Sequence, residues 1–164
     1  MLARFESEEI HTTKIEVDLN PIIQYCIHRL NEQTSDKGII INFDDSSKAD
    51  VFADPSLLEI IFENLLTNAV KYSNVGSQID VFLDQSGEEV KCSIRDYGIG
   101  MKPEQIMRVF DRFYRSEEAR STEARGHGIG MAIVKRLADF QNIEVVYKSE
   151  ISKGTTATLI FKQK

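Results

Sequence analysis

The chain has 164 residues, 41% hydrophobic and 28% charged, with a formal net charge of −6. This is the size and balance of one globular domain with a single core. The acidic surplus argues against a nucleic-acid partner, which calls for excess Lys and Arg, but not against a small anion held by a local cradle of donors.

Met1 to Glu9 is charged and helix-prone, with no apolar stripe long enough to fold alone, so residues 1–11 read as a linker or as the last turns of a preceding helix. Lys14 to Leu19 alternates apolar and polar residues and predicts a strand. Asn20 is expected to cap a helix with Pro21 in its first turn, running to about Gln33. Ile39 to Phe43 predicts a second strand. Asp54-Pro55 repeats the helix-start signal, and Leu58, Ile61, Phe62, Leu65, Leu66, Ala69 and Val70 form one stripe over a helix from Pro55 to Ser73. Ile79, Val81 and Leu83, then Val90, Cys92 and Ile94, predict a hairpin turning at Ser86-Gly87. Asp111 to Gly128 is poor in apolar residues after Tyr114, and so long a loop inside a compact domain is usually functional or disordered. A helix over Ile129 to Phe140 and strands over Glu144 to Lys148 and Thr155 to Phe161 complete the chain. The order β-α-β-α-β-β-loop-α-β-β lacks a βαβαβ alternation, so a mixed sheet with helices on one face fits better than a doubly wound parallel sheet. Cys26 and Cys92 match no metal spacing and fall in apolar patterns, which predicts buried free thiols, as in a reducing compartment. The visible segment has neither a signal peptide nor an apolar run near the roughly 18 residues of a membrane span, so it is expected to be cytoplasmic and free of membrane contact, whatever its parent does.

Three local patterns carry chemistry. Asn64, Asn68 and Lys71 share one face of the second long helix, with Tyr72 beside them. Two asparagines inside a helix run against propensity and need a reason, although a solvated face is the plain alternative. An amide oxygen suits Mg²⁺ that arrives with its own anionic ligand; Lys71 suits a phosphate, and Tyr72 offers a flat ring. Asp96-Tyr97-Gly98-Ile99-Gly100 follows a strand, so its carboxylate stands at a strand end, where it suits the amine of adenine and not the carbonyl of guanine. Gly126-His127-Gly128-Ile129-Gly130 precedes a helix, whose free N–H groups and dipole favour anions. It matches neither G-x-x-x-x-G-K-[ST] nor a dinucleotide fingerprint.

Together these segments resemble the GHKL superfamily of ATPases and kinases. Asn64-Leu65-Leu66-Thr67-Asn68-Ala69-Val70-Lys71-Tyr72-Ser73 is similar to the N box of sensor histidine kinases, and Asp96 to Gly100 to the first glycine box. Val109 to Arg115 resembles the F box, Gly126 to Gly130 the second glycine box, and Gly154-Thr155-Thr156 the final turn. The likeness covers roughly residues 12–164, read as one ATP-binding catalytic domain, and the opening segment resembles the end of the dimerisation helix that precedes it in the family. The resemblance implies a Bergerat-type two-layer α/β sandwich with a mixed, mostly antiparallel sheet and a long ATP lid over Arg112 to Gly126. It implies ATP and Mg²⁺ as ligands. Asn68 would be the metal ligand, with Asn64 in the same shell; Lys71 would meet phosphate, Tyr72 would lie beside adenine and Asp96 would take its amine. Arg115 would reach the γ-phosphate. Gly98 and Gly100 would belong to the cofactor-binding set; Gly126, Gly128 and Gly130 would let the lid hinge and offer N–H groups to phosphate, with His127 and Ile129 in the same cofactor-binding segment. Thr155 would support the adenine site. His127 stands where the family often has Thr or Gln, so its ring meets phosphate or simply faces solvent; Asn142 stands near a position often occupied by Gly.

The resemblance also implies a phosphoacceptor histidine followed by an acidic residue. His11-Thr12, His28-Arg29 and His127-Gly128 do not fit. The expected partner is therefore a histidine-containing dimerisation domain of the same kinase outside this chain, with a response regulator downstream. The domain alone is expected to be monomeric and not to phosphorylate itself. A stand-alone serine kinase of the anti-sigma-factor type and a non-catalytic nucleotide sensor are the other readings.

Overall fold

Strand β1 (Ile15–Asp18) runs directly into helix α1 (Leu19–Arg29), and the Asp18 carboxylate accepts the N–H of Asn20 at 3.0 Å. The cap is therefore Asp18 and not Asn20, which lies inside the first turn; an ionised carboxylate is the better acceptor against the positive end of the helix dipole. The structure, a computed structural model, describes residues 12–46, 48–114 and 128–162. The expected linker over 1–11 and the site candidates Arg115, Gly126 and His127 lie outside the described residues.

The helix expected to reach Gln33 is divided in two. α1 closes at the buried Leu30, and a second helix, α2 (Asn31–Lys37), follows. The α2 run NEQTSDK has no apolar residue, so hydrophobic periodicity is silent about it. After β2 (Ile40–Phe43) comes an unanticipated strand, β3 (Asp50–Ala53), which pairs antiparallel with β1 from Ile15↔Ala53 to Asp18↔Asp50. Its alternation is real, with Val51 and Ala53 buried and Phe52 exposed, but four residues containing Asp and Ala give a faint signal.

Helix α3 (Pro55–Tyr72) is the spine. Its stripe, from Leu57 and Leu58 to Ala69 and Val70, is buried, and it packs against α1, β5 and α5. Strands β4 (Gln78–Ser86) and β5 (Glu89–Asp96) form the expected hairpin, followed by one unanticipated turn of helix, α4 (Pro103–Ile106). α5 (Gly130–Gln141), β6 (Ile143–Glu150) and β7 (Gly154–Lys162) complete the fold. The main sheet has the order β2-β4-β5-β7-β6, parallel only between β2 and β4. Ile79, Val81, Val90, Cys92, Ile94, Ala157, Leu159 and Phe161 alternate onto its buried face. The other face is polar, as the 2.9 Å contact between the Ser93 and Thr158 hydroxyls illustrates. Both cysteines are free and buried, and burial pushes each thiol up to about 12. Among the described residues no helix is long and apolar enough to cross a membrane.

Asp54 holds the entry to α3. Its Oδ1 accepts the N–H groups of Ser56 and Leu57 at 3.0 and 3.2 Å, its Oδ2 accepts that of Thr13 at 2.8 Å, and its own N–H donates to Gln141 Oε1 at 2.6 Å. Asp54→Ala removes the cap and the Thr13 link together, and is expected to lower the unfolding free energy by about 2 kcal/mol. Urea denaturation followed by circular dichroism checks this; a loss below about 0.5 kcal/mol would show that the side chain ties nothing together.

Candidate functional site

The C-terminal half of α3 turns its polar edge toward a cavity of about 360 Å³, with the ends of β5 and β7, the inner face of β6 and the start of α5 as its other walls. On that edge, Asn64 donates its amide to the Ile60 carbonyl at 2.7 Å, which orients its oxygen toward Gly130. A Cβ at Gly130 would lie 2.6 Å from that oxygen, so any larger residue there would displace the Asn64 amide from this position. The Asn68 side chain has no hydrogen-bond partner among the described residues. Lys71 holds its ammonium 5.0 Å from the centroid of the Tyr72 ring and forms no ion pair with a described residue. Lys37, on α2, donates to the carbonyls of Val70 and Lys71 at 2.9 and 2.7 Å. It thereby satisfies the orphan carbonyls that end α3, and burial pulls its pKa down.

Asp96 ends β5 with its side chain on the buried face. Its Oδ1 accepts the N–H of Gly98 at 3.0 Å and that of Thr155 at 3.2 Å. Its Oδ2 has no partner among the described residues. At 7% exposure, burial pushes the carboxyl up to about 6, against the two N–H groups that favour ionisation. The neighbouring Tyr97 is pinned to the opposite face of the sheet, donating its hydroxyl to Asp80 at 2.7 Å under the guanidinium of Arg95. Burial opposes ionisation of Asp80, yet hydrogen bonds from Asn42, Tyr97 and Gln78 outweigh it and hold the carboxyl below its usual range. The turn after Asp96 is stitched to α3, since the Ile99 N–H donates to the Tyr72 carbonyl at 3.2 Å and a Cβ at Gly98 would lie 1.9 Å from that oxygen.

The third wall is the start of α5. Ile129 caps it without a side-chain hydrogen bond, so the first N–H groups of the helix are not taken by a capping side chain. The Phe113 N–H donates to the Gly128 carbonyl at 2.8 Å, which joins the two described ends flanking residues 115–127. Tyr114 lines the cavity under Arg108, whose guanidinium lies 4.4 Å from its ring centroid.

Asn64, Asn68, Lys71, Tyr72, Asp96, Gly100, Gly128, Ile129, Gly130 and Thr155 all line this one space. Gly98 does not; it lies behind, against Tyr72. The apolar wall of Ile94, Met131 and Ala157, together with Tyr147, carries no motif of its own as a cavity lining, although period-2 alternation from Asp96 and Thr155 reaches Ile94 and Ala157. Among the described residues no three His, Cys, Asp or Glu side chains form a metal-holding cluster. A cation here would rest on the neutral Asn68 oxygen and on a ligand's own oxygens, which suits Mg²⁺.

The chain is similar to known proteins across nearly its whole length. Residues 53–164 match the family model described as histidine kinase-, DNA gyrase B- and HSP90-like ATPase. The heme sensor protein HssS of Staphylococcus saprophyticus is 35% identical over 148 residues, which are 90% of this chain and 31% of that protein. The mycobacterial sensor histidine kinase MprB superposes with a TM-score of 0.79 at 25% identity, covering 92% of this chain and 97% of that one. Full-length ShkA, solved in complex with AMPPNP, superposes at 0.81 and 26% identity, covering 99% of this chain and 34% of that one. The chain spans about a third of the length of the curated relatives it matches. The chain therefore belongs to the histidine kinase-, DNA gyrase B- and HSP90-like ATPase family, and its likeness to sensor histidine kinases runs over nearly its whole length.

Proposed function

We propose that the domain binds Mg–ATP in this cavity and transfers the γ-phosphoryl group to a histidine on a dimerisation domain of the same kinase, which then supplies a response regulator. The supporting observation is the convergence of an uncommitted carboxylate oxygen, an asparagine–lysine helix edge and an open helix N-terminus on one cavity. The AMPPNP in the ShkA structure supports a nucleotide here. Asp96 Oδ2 accepts the adenine amine. Asn64, Asn68 and Lys71 face the phosphates, with Asn68 as the residue that would hold Mg²⁺. A bound metal there would supply neutralisation of the phosphate charge. A neutral imidazole nitrogen attacks the γ-phosphorus while the bond to the bridging oxygen breaks and ADP departs. Arg115 meets the charge that develops in transfer. The protein's share is positioning and electrostatics.

The test is to mix the purified domain, labelled ATP and a separately expressed dimerisation domain carrying a histidine. An acid-labile phosphate on that domain is expected. An acid-stable seryl phosphate on a candidate protein would favour the serine-kinase reading, and tight ATP binding without any transfer the sensor reading.

Asp96 gives a second prediction. Asp96→Asn is expected to weaken ATP binding by about 1.5–3 kcal/mol, the worth of a charged hydrogen bond. Since the free carboxyl titrates near 6 and only its ionised form accepts the amine, affinity should be level above that pH and fall as pH drops through it. The loss is roughly ten-fold by pH 5, and the ratio of wild-type to Asp96→Asn affinity should shrink in step. Calorimetry at several pH values decides it; a wild-type curve parallel to that of the variant would take the carboxylate out of the pocket.

Arg115→Ala is expected to leave the ATP dissociation constant within about two-fold while slowing transfer by a hundred-fold or more. Equal losses in both would assign the arginine to ground-state binding.

A further inference from the structure

β6 puts Ile143, Val145 and Tyr147 on its inner face, so an aromatic with a polar tip ends an apolar row. Tyr147 pairs across the sheet with Ala157, and Ala157 with Ile94. The small Ala157 leaves open sheet surface between Tyr147 and the Thr155–Asp96 row. The Tyr147 ring stands edge-on to Phe110, with centroids 5.7 Å apart at 75°, which fixes the ring and the place of its hydroxyl oxygen while the O–H bond stays free to turn. That hydroxyl donates to Met131 Sδ at 3.1 Å, and a thioether is a weak acceptor. Burial, then the charge of Asp96, pushes the phenol up, so it stays a neutral donor across working pH. The other sheet-borne donors are engaged: the N–H groups of Gly98 and Thr155 on Asp96 Oδ1, and the Thr155 hydroxyl with that of Ser149 at 2.8 Å.

From this we infer that Tyr147 is a nucleobase-binding residue, whose hydroxyl turns from Met131 to a ring nitrogen flanking the exocyclic amine that Asp96 receives. The inference rests on the ATP reading of the cavity. A purine that gives its amine to Asp96 carries bare acceptors on either side of it, N1 and N7. Leaving one of them buried without a donor costs binding, and a thioether gives up a hydroxyl more readily than an oxygen acceptor would. Recognition of the base then draws on β6 as well as β5, and the Watson–Crick or Hoogsteen edge is read by a donor together with an acceptor.

The test is calorimetry with ATP, 1-deaza-ATP and 7-deaza-ATP on the intact chain and on Tyr147→Phe, which keeps the ring and its packing on Phe110. The substitution is expected to weaken ATP about five- to ten-fold. It should leave unchanged the affinity for whichever analogue lacks the contacted nitrogen. Equal weakening of all three ligands would mean that the hydroxyl acts only by shaping the pocket, and no weakening of ATP would mean that it stays on Met131; either result overturns the inference. Failure of the unsubstituted chain to bind ATP at all would overturn the cavity reading itself, and this inference with it.

Discussion

The hydrogen bonds into Asp96 Oδ1 organise the site. One comes from Gly98 in the turn after β5, the other from Thr155 on the adjacent β7. A single oxygen therefore ties the tight turn to the neighbouring strand and leaves the second oxygen for a ligand. The energetic logic is that of a buried charge kept partly satisfied: two N–H dipoles offset much of the desolvation, but the carboxyl still rests near 6. A group this close to losing its charge gains from a donor such as an amine. On the proposed reading, the base amine would complete the set of partners that burial makes necessary.

Both ends of α3 are held in part by residues remote in sequence. Asp54 and Gln141 secure its start, while Lys37 caps its last carbonyls. Tyr72, the last helical residue, lends its carbonyl to Ile99, so the helix edge that carries Asn68 and Lys71 is bound directly to the turn that follows Asp96. The two sides of the cavity thus share one rigid framework. The outer-face network of Asp80, Asn42, Gln78 and Tyr97 anchors the same turn from behind.

What the sequence made legible follows physical signal strength. The α3 stripe and the β4–β5 alternation are strongly periodic, and both were read to within a residue or two. The glycines and asparagines stood out because each violates local propensity, and propensity violated inside an otherwise consistent element marks a second demand on the residue. β3 was missed because four residues with two of them Asp and Ala carry almost no pattern, and α2 because its face is polar; both are held by tertiary pairing more than by their own sequence. Asp18 was passed over because Asn20 stood beside Pro21, and capping rules do not rank two candidates that a strand end can both reach. Tyr147 escaped notice since an aromatic on a strand's inner face is ordinary core until the strand opposite turns out to carry only Ala157.

The charge arrangement explains how an acidic chain can take up an anion. The chain carries a net charge of −6. Yet Asp96 is the one carboxylate among the described residues that line the cavity. The polar groups on the wall formed by α3 and the start of α5 are amides, hydroxyls, an ammonium and backbone N–H groups, with no carboxylate among its described residues. An aspartate at position 68 would also bind a cation, but it would repel phosphates within a few ångströms at a site where water screens poorly. In the proposed Mg–ATP complex, a neutral oxygen would avoid that repulsion and let the phosphates bring the cation's charge partners themselves. The one negative group stands at the other end, where the base offers hydrogen to accept. The same cavity is thus polarised from a carboxylate to a helix N-terminus, and a nucleotide entering in reverse would set its phosphates against Asp96 and leave the amide edge unmatched. On the proposed reading, this separation of charge would select the orientation of the nucleotide before any transfer.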